Sequence, residues 1–426
     1  MDLSPPAPLF NPATAERALT PWELAGSPLG LLVFLPYIPF VLWAARRAPC
    51  AALYASGVIW VAGTAGPMSA AVLIVWMALA LGWVELLAAL RSRGVLTRSP
   101  QIALLWIGLH ALVLPLWWQP NWPWYGMLAP WQPSRLAPLH QMGFAYLMLR
   151  LLAWGVQRAR EHDAARELAR LVETLAWLWY VPCMRLGPVM PRETFVQRLR
   201  AWRAAPLSDR AALHRRGGLA LLGLAGLGAT AALLPHVGPN AADFFESPRE
   251  YPTAALVAVV YLIPLQIYLF LWTYNEIAAF VSYLVGIPVD DNFDCVPRSR
   301  STREFWRRWH ITLGAWLRDL IYIPLGGNRG FVPLNYAAVF VYCGVWHGAS
   351  WSFVAWGLLQ ALMLTIEHYL MKPLAGVERS RLWTRVCDVA GWLWTMQYQT
   401  LAILILADFQ YLGSRILPEL WSRLVG

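Results

Sequence analysis

His310 and His347 are the two side chains in this sequence best placed to move a proton inside an apolar protein. A neutral imidazole titrates near working pH, so it can take a proton from a hydroxyl and return it to a leaving group. His347 sits in Cys343-Gly344-Val345-Trp346-His347-Gly348-Ala349, within an apolar run. An ionisable residue in such a run is a functional candidate by default. Glycines on both sides let another backbone or a substrate come close. The alternative is a structural histidine satisfied by a neighbouring helix. His310 sits in the stretch 303–318, where Trp306, Trp309, Leu313 and Trp316 recur at intervals of 3, 4 and 3 residues. That spacing predicts one helix with an indole-rich face, flanked by Arg303, Arg307 and Arg318. The helix is too polar to span lipid and is expected at the interface, with Ser301 or Thr302 capping its start. His310 falls at the edge of the apolar face; a buried histidine bonded to backbone is the alternative there.

Other chemistries find less support. Cys50, Cys183, Cys295, Cys343 and Cys387 are scattered singly, so neither a metal site nor a disulfide framework is suggested. No serine nucleophile elbow is visible. Cys343 shares a helix face with His347 and reads as a small packing residue. Pro324 and the pair Gly326-Gly327 predict a turn after the amphipathic helix. Asn335 could add polarity nearby, or serve a loop or a cap.

The elements that position these residues are membrane helices. The chain is 58% hydrophobic and only 14% charged, against about 25% charged in soluble domains. Apolar segments predict about ten spans, near 29–45, 50–66, 67–90, 101–118, 136–157, 217–235, 252–286, 333–349, 351–371 and 388–412. Segment 171–190 is apolar but broken by Pro182, Gly187 and Pro188, with Pro191 just after it, and either spans or re-enters. Met1 to Pro28 lacks a basic start, so the first span is expected to act as an uncleaved signal. The net charge of +10 comes almost wholly from arginine in short loops. Stretches 91–98, 158–170, 192–216 and 298–329 fall on one side if 171–190 does not cross, and that side is expected to be cytoplasmic. The Trp-rich, nearly uncharged segment 117–135 is expected outside. This distribution argues for loop bias and against nucleic acid as a partner. The chain reads as one membrane domain.

The run Arg303-Glu-Phe-Trp-Arg-Arg-Trp-His310-Ile-Thr-Leu-Gly-Ala-Trp-Leu-Arg318, continued through Pro324-Leu-Gly-Gly-Asn-Arg329 and Val345-Trp-His-Gly-Ala349, resembles the membrane-bound O-acyltransferase (MBOAT) family. It is most similar to the bacterial branch that serves alginate O-acetylation and teichoic-acid D-alanylation. The likeness is specific over about 299–357 and looser at Arg185-Leu-Gly-Pro-Val189 and Tyr274-Asn-Glu276. The ending Ala407-Asp-Phe-Gln410 departs from related acetylation proteins. The resemblance implies a ring of 10–11 helices around a thinned, tunnel-like centre, with interfacial and re-entrant helices. It implies His347 as the catalytic histidine and His310 as a second one on the cytoplasmic approach. It further implies a cytoplasmic thioester donor, acyl-coenzyme A or an acyl carrier protein, with no bound cofactor. Arg303, Arg307, Arg308 and Arg329 could attract donor phosphates, and Trp309, Asn335 and Trp346 could line the path. Binding anionic lipid heads is the alternative role for these arginines. The acceptor would be a hydroxyl of an exported polysaccharide or envelope polymer, reached directly or through a periplasmic acyltransferase partner. D-alanyl transfer, or another acyl transfer to a wall polymer, lipid or small molecule, is the near alternative.

A helical transporter relaying protons through buried histidines is a rival class. It predicts charged pairs within the spans, whereas the sequence offers only Glu85, Glu276 and Glu367 near span ends. A noncatalytic scaffold of a polysaccharide-modifying complex is the other rival. It predicts tolerance of substitution at both histidines.

Overall fold

The computed structural model describes residues 35–36, 38–45, 47–117, 144–160, 168–204, 209–237, 248–347, 351–371, 380–411 and 417–425. Among these the chain is helical, and the sole sheet-like pairing is an isolated bridge between Phe293 and Trp309. In order the helices are α1 Ile38–Ala45, α2 Pro49–Ala65, α3 Pro67–Ser92, α4 Arg98–Trp117, α5 Phe144–Arg158, α6 Leu168–Leu178, α7 Arg192–Ala204, α8 Arg210–Val237, α9 Thr253–Val285, α10 Thr302–Arg308, α11 Ile311–Leu317, α12 Val332–His347, α13 Trp351–Met371, α14 Arg381–Tyr411 and α15 Leu417–Val425. Four of the described helices, within α3, α8, α9 and α13, are long and apolar enough to cross a membrane, and α2 is a shorter apolar helix. The protein is an all-α polytopic membrane protein.

The expected spans map closely onto these helices. α2, α3, α4, α8, α9, α12, α13 and α14 begin and end within a turn or two of the apolar segments. The N-terminal segment, most of the Trp-rich segment 117–135 and Gly348-Ala349 lie outside the described residues. The turn between α2 and α3 shows how local chemistry sets a boundary. Gly66 adopts φ +86°, and Pro67 then starts the next helix with its φ pre-set and no amide hydrogen to leave unbonded.

The described residues form two compact units, one from 35–220 and 273–292, the other from 221–272 and 293–425. In the first unit, segment 171–190 makes an 11-residue helix, α6, followed by a 3-10 turn at Val181–Cys183. It is too short to cross lipid. Trp177, Trp179, Tyr180, Cys183 and Met184 are all buried, so protein surrounds this irregular backbone. Gly57 lets α2 close on this segment, since a Cβ there would meet the Trp179 carbonyl oxygen at 2.2 Å.

Charged pairs inside helices correct the sequence reading, which found none. Arg216 of α8 donates to both oxygens of Glu276 in α9, at 3.1 and 2.9 Å, and also pairs with Asp291. Arg158 approaches Glu85 at 3.7 Å. The sequence concealed these partners because they come from separate helices. Each removes an uncompensated charge from an apolar interior.

Candidate active site

The site lies in the second unit, where α10 and α11 pack beside the α12–α13 pair. α10 starts with an N-cap: the Ser301 hydroxyl accepts from the Glu304 amide at 3.1 Å, and Glu304 accepts from the Arg300 amide at 2.9 Å. The carboxylate of Glu367, from α13, accepts from the amides of Thr302 and Arg303 at 2.5 and 3.0 Å. One span-end acid thus anchors the signature helix to α13 by a negative charge at its N-terminus.

The single helix expected across 303–318 is two helices. α10 ends at Arg308, Trp309 is extended at φ −96° and ψ 125°, and His310 is left-handed at φ 49° and ψ 50° before α11 begins. The Asp294 amide donates to the Arg308 carbonyl at 3.0 Å, and Trp309 bridges Phe293. The indole of Trp309 stacks on Phe305 at 5.4 Å and meets Phe293 edge-on at 5.2 Å. A 3-4-3 spacing survives a two-residue break, so periodicity alone could not reveal it. A left-handed non-glycine residue stores about 1–3 kcal/mol and persists where its surroundings hold it, often at a functional position.

Truncating Trp309 should therefore loosen this corner. Trp309→Ala is expected to lower stability by about 3 kcal/mol through lost aromatic burial. Trp309→Phe should recover most of it. Thermal unfolding of the purified full chain in detergent reads both.

His310 is buried, at 5% exposure. Burial, aided by the positive form of nearby His347, pushes its pKa down to about 3. His347 closes α12 and keeps an exposed side chain. It lies against Trp346 at 4.6 Å, Phe353 at 6.3 Å and Trp356 at 6.1 Å between ring centroids. The rings of Trp356, Trp306, Phe305, Trp309 and Phe293 then run without a gap to His310. Two histidines far apart in sequence thus share one aromatic site. Trp306 is fixed through its indole N–H to Gln360, which pairs with Gln399.

Glycine makes the His347 corner possible. A Cβ on Gly344 would stand 2.2 Å from the Phe353 carbonyl oxygen, and one on Gly357 would stand 2.3 Å from that of Phe340. The backbones of α12 and α13 touch through these small residues, as membrane helices commonly do. The contact brings Phe353 and Trp356 up to His347.

The remaining sequence candidates divide by what they touch. Arg308 pairs with Glu304 at 2.8 Å and Asp294 at 2.9 Å. Arg307 and Arg329 are exposed, and Arg303 is half-buried within electrostatic reach of Tyr322. Asn335 is buried and donates to the Gly327 carbonyl at 2.8 Å, so its side chain holds the glycine turn. That turn is present as expected, with Gly326 and Gly327 at φ +98° and +55°. Sequence reasoning singled out neither Trp356 nor Phe353; both follow His347 on the next helix at positions that only the glycine contact brings near. Among the described residues no cluster suits a metal ion.

The chain is a polytopic helical membrane protein with two histidines in one aromatic site. The chain belongs to the membrane-bound O-acyltransferase family, whose sequence pattern matches residues 98–407. It is 41% identical over 108 residues to a probable alginate O-acetylase of Azotobacter vinelandii, covering 25% of this chain and 22% of that protein. It is 39% identical over 106 residues to a peptidoglycan O-acetyltransferase of Helicobacter pylori, covering 24% and 20%. Over a longer stretch of 279 residues it is 24% identical to a teichoic acid D-alanyltransferase of Bacillus subtilis, covering 62% and 67%. The matches to the two O-acetylating proteins thus span about a fifth of their length.

Proposed function

We propose that this chain is an O-acyltransferase of the bacterial cytoplasmic membrane. It moves an acyl group, acetyl foremost, from a cytoplasmic thioester to a hydroxyl of an exported polysaccharide or envelope polymer. The observation that carries this reading is the shared aromatic site of His310 and His347, inside the stretch that the family match covers. The His347 imidazole takes the proton of the acceptor hydroxyl as its oxygen attacks the thioester carbonyl. The carbon–sulfur bond breaks, and the proton passes to the leaving thiolate. The buried ring of His310 acts beside it, guiding the donor end. Trp309 and Trp346 wall the path, while Arg303, Arg307 and Arg329 attract the donor's phosphates, on coenzyme A or a carrier's phosphopantetheine arm. Asn335 acts through the glycine turn. A periplasmic acyltransferase is the partner that would complete delivery outside. The long likeness to a D-alanyltransferase favours aminoacyl transfer as the second reading.

The donor decides between them. Membranes carrying the chain should pass label from acetyl-coenzyme A to a hydroxyl product, and little from a D-alanyl carrier protein. The opposite preference would establish the second reading; transfer from neither would remove the acyltransferase proposal for these donors. Donor access also fixes orientation. With the native cysteines removed, single cysteines at 298–303 should resist an impermeant thiol reagent in intact cells and react in inside-out vesicles. Labelling from outside intact cells would reverse the proposed topology.

A further inference from the structure

Four described arginines are buried, all in the first unit, and three have oxygen partners that answer their charge or their hydrogens. Arg216 meets two carboxylates, Arg158 meets Glu85, and Arg150 donates to the carbonyls of Trp177, Leu178 and Cys183. Arg185 is different. Its Nη2 reaches the Thr64 hydroxyl at a long 3.4 Å, and its guanidinium lies over the Trp60 ring at 4.7 Å. Nε and Nη1 are buried without a partner, and no carboxylate pairs with it among the described residues. Guanidinium does not shed its proton in proteins, so the charge persists. A buried charge without a counter-charge is strongly unfavourable, and an indole face offsets only part of that.

The polar neighbours Tyr274 and Thr64 do not supply Arg185 with the missing partner. Tyr274 is fully buried, within electrostatic reach of Arg185, and its hydroxyl proton has no acceptor. Thr64 has already given its own proton to the Trp60 carbonyl at 2.7 Å. The wall is tight: Trp60 and Tyr274 are nearly inaccessible, and Gly187 closes the neighbouring turn so closely that a Cβ would meet the Pro182 carbonyl oxygen at 1.8 Å. A ligand that fits must be negative, rich in acceptors and small.

We propose that Arg185, with Tyr274, binds a small carboxylate anion of the size of formate or acetate inside the first unit. The carboxylate oxygens accept from Nε and the Tyr274 hydroxyl. The anion supplies a counter-charge, and an acceptor for a guanidinium edge that has no protein partner.

The test uses the full chain in detergent, with sodium formate as the probe and sodium gluconate, too bulky for the site, holding ionic strength constant. Formate well above its Kd should raise the melting temperature of wild type saturably, by about 4 °C. Equilibrium dialysis with labelled formate should find one equivalent bound. Arg185→Met should lose both responses. Should that variant fail to fold, Tyr274→Phe removes one donor and keeps the ring; its formate affinity should fall about tenfold, one hydrogen bond to a charged group. No saturable binding to wild type would overturn the site. So would binding left unchanged by the substitutions, which would place the formate elsewhere. None of these readouts requires acyl transfer, so they stand or fall apart from the proposed activity.

Discussion

Replacing His347 with alanine is expected to lower acyl transfer at least about a hundredfold, the lower end of what a positioned general base contributes. The effect should fall on kcat. The imidazole is needed when the hydroxyl proton leaves, whereas the donor is held by other groups. The fold should survive, because His347 is exposed at the end of α12 and the backbone contact at Gly344 is untouched. Unfolding temperature measured on the same preparation separates the two effects. A folded His347→Ala protein with near-normal turnover would remove this residue from the chemistry and favour the scaffold reading.

His310→Gln keeps a hydrogen-bonding side chain but removes the titrating ring, and is expected to cut activity by about tenfold or more while leaving the fold in place at neutral pH. The pH dependence of stability gives an independent readout. In the folded chain His310 is neutral down to about pH 3, while an unfolded histidine titrates near 6.5. Between those values the unfolded chain binds the extra proton. Stability therefore rises with pH through that window, and the contribution is lost as pH falls below 6.5. Glutamine cannot titrate, so His310→Gln should flatten this part of the stability–pH curve. A curve unchanged by the substitution would contradict the neutral, buried histidine described here. Normal transfer by the variant would leave His347 to carry the chemistry alone.

Much of the fold was legible because membrane helices announce themselves by length and apolarity, and α9 or α13 needs no tertiary knowledge to be found. The interruption of segment 171–190 was legible in its prolines and glycine, but its folding into a short helix and a 3-10 turn was not. The kink at Trp309–His310 was not. It is set by Phe293 and Asp294, which lie some fifteen residues upstream and pair with the chain where the helix stops. The partners of Arg216 and the anchoring role of Glu367 were hidden likewise, since each requires knowing which helices adjoin. His310 and His347 stood out from their apolar settings, but their shared site depends on Gly344 and Gly357, whose close backbone contacts no periodicity encodes. The two acids that hold Arg308 were hidden in the same way, since Asp294 comes to it from fourteen residues upstream.

The most direct measurement is label transfer in sealed vesicles of defined orientation, with acetyl-coenzyme A labelled in the acetyl group and added only to the outer solution. Inside-out vesicles carrying the wild-type chain should place label on a hydroxyl of polymer or partner. Right-side-out vesicles should not, and inside-out vesicles carrying His347→Ala should show at most about one hundredth of the wild-type rate. Equal rates for wild type and His347→Ala, or transfer confined to right-side-out vesicles, would contradict a cytoplasmic donor and a histidine base.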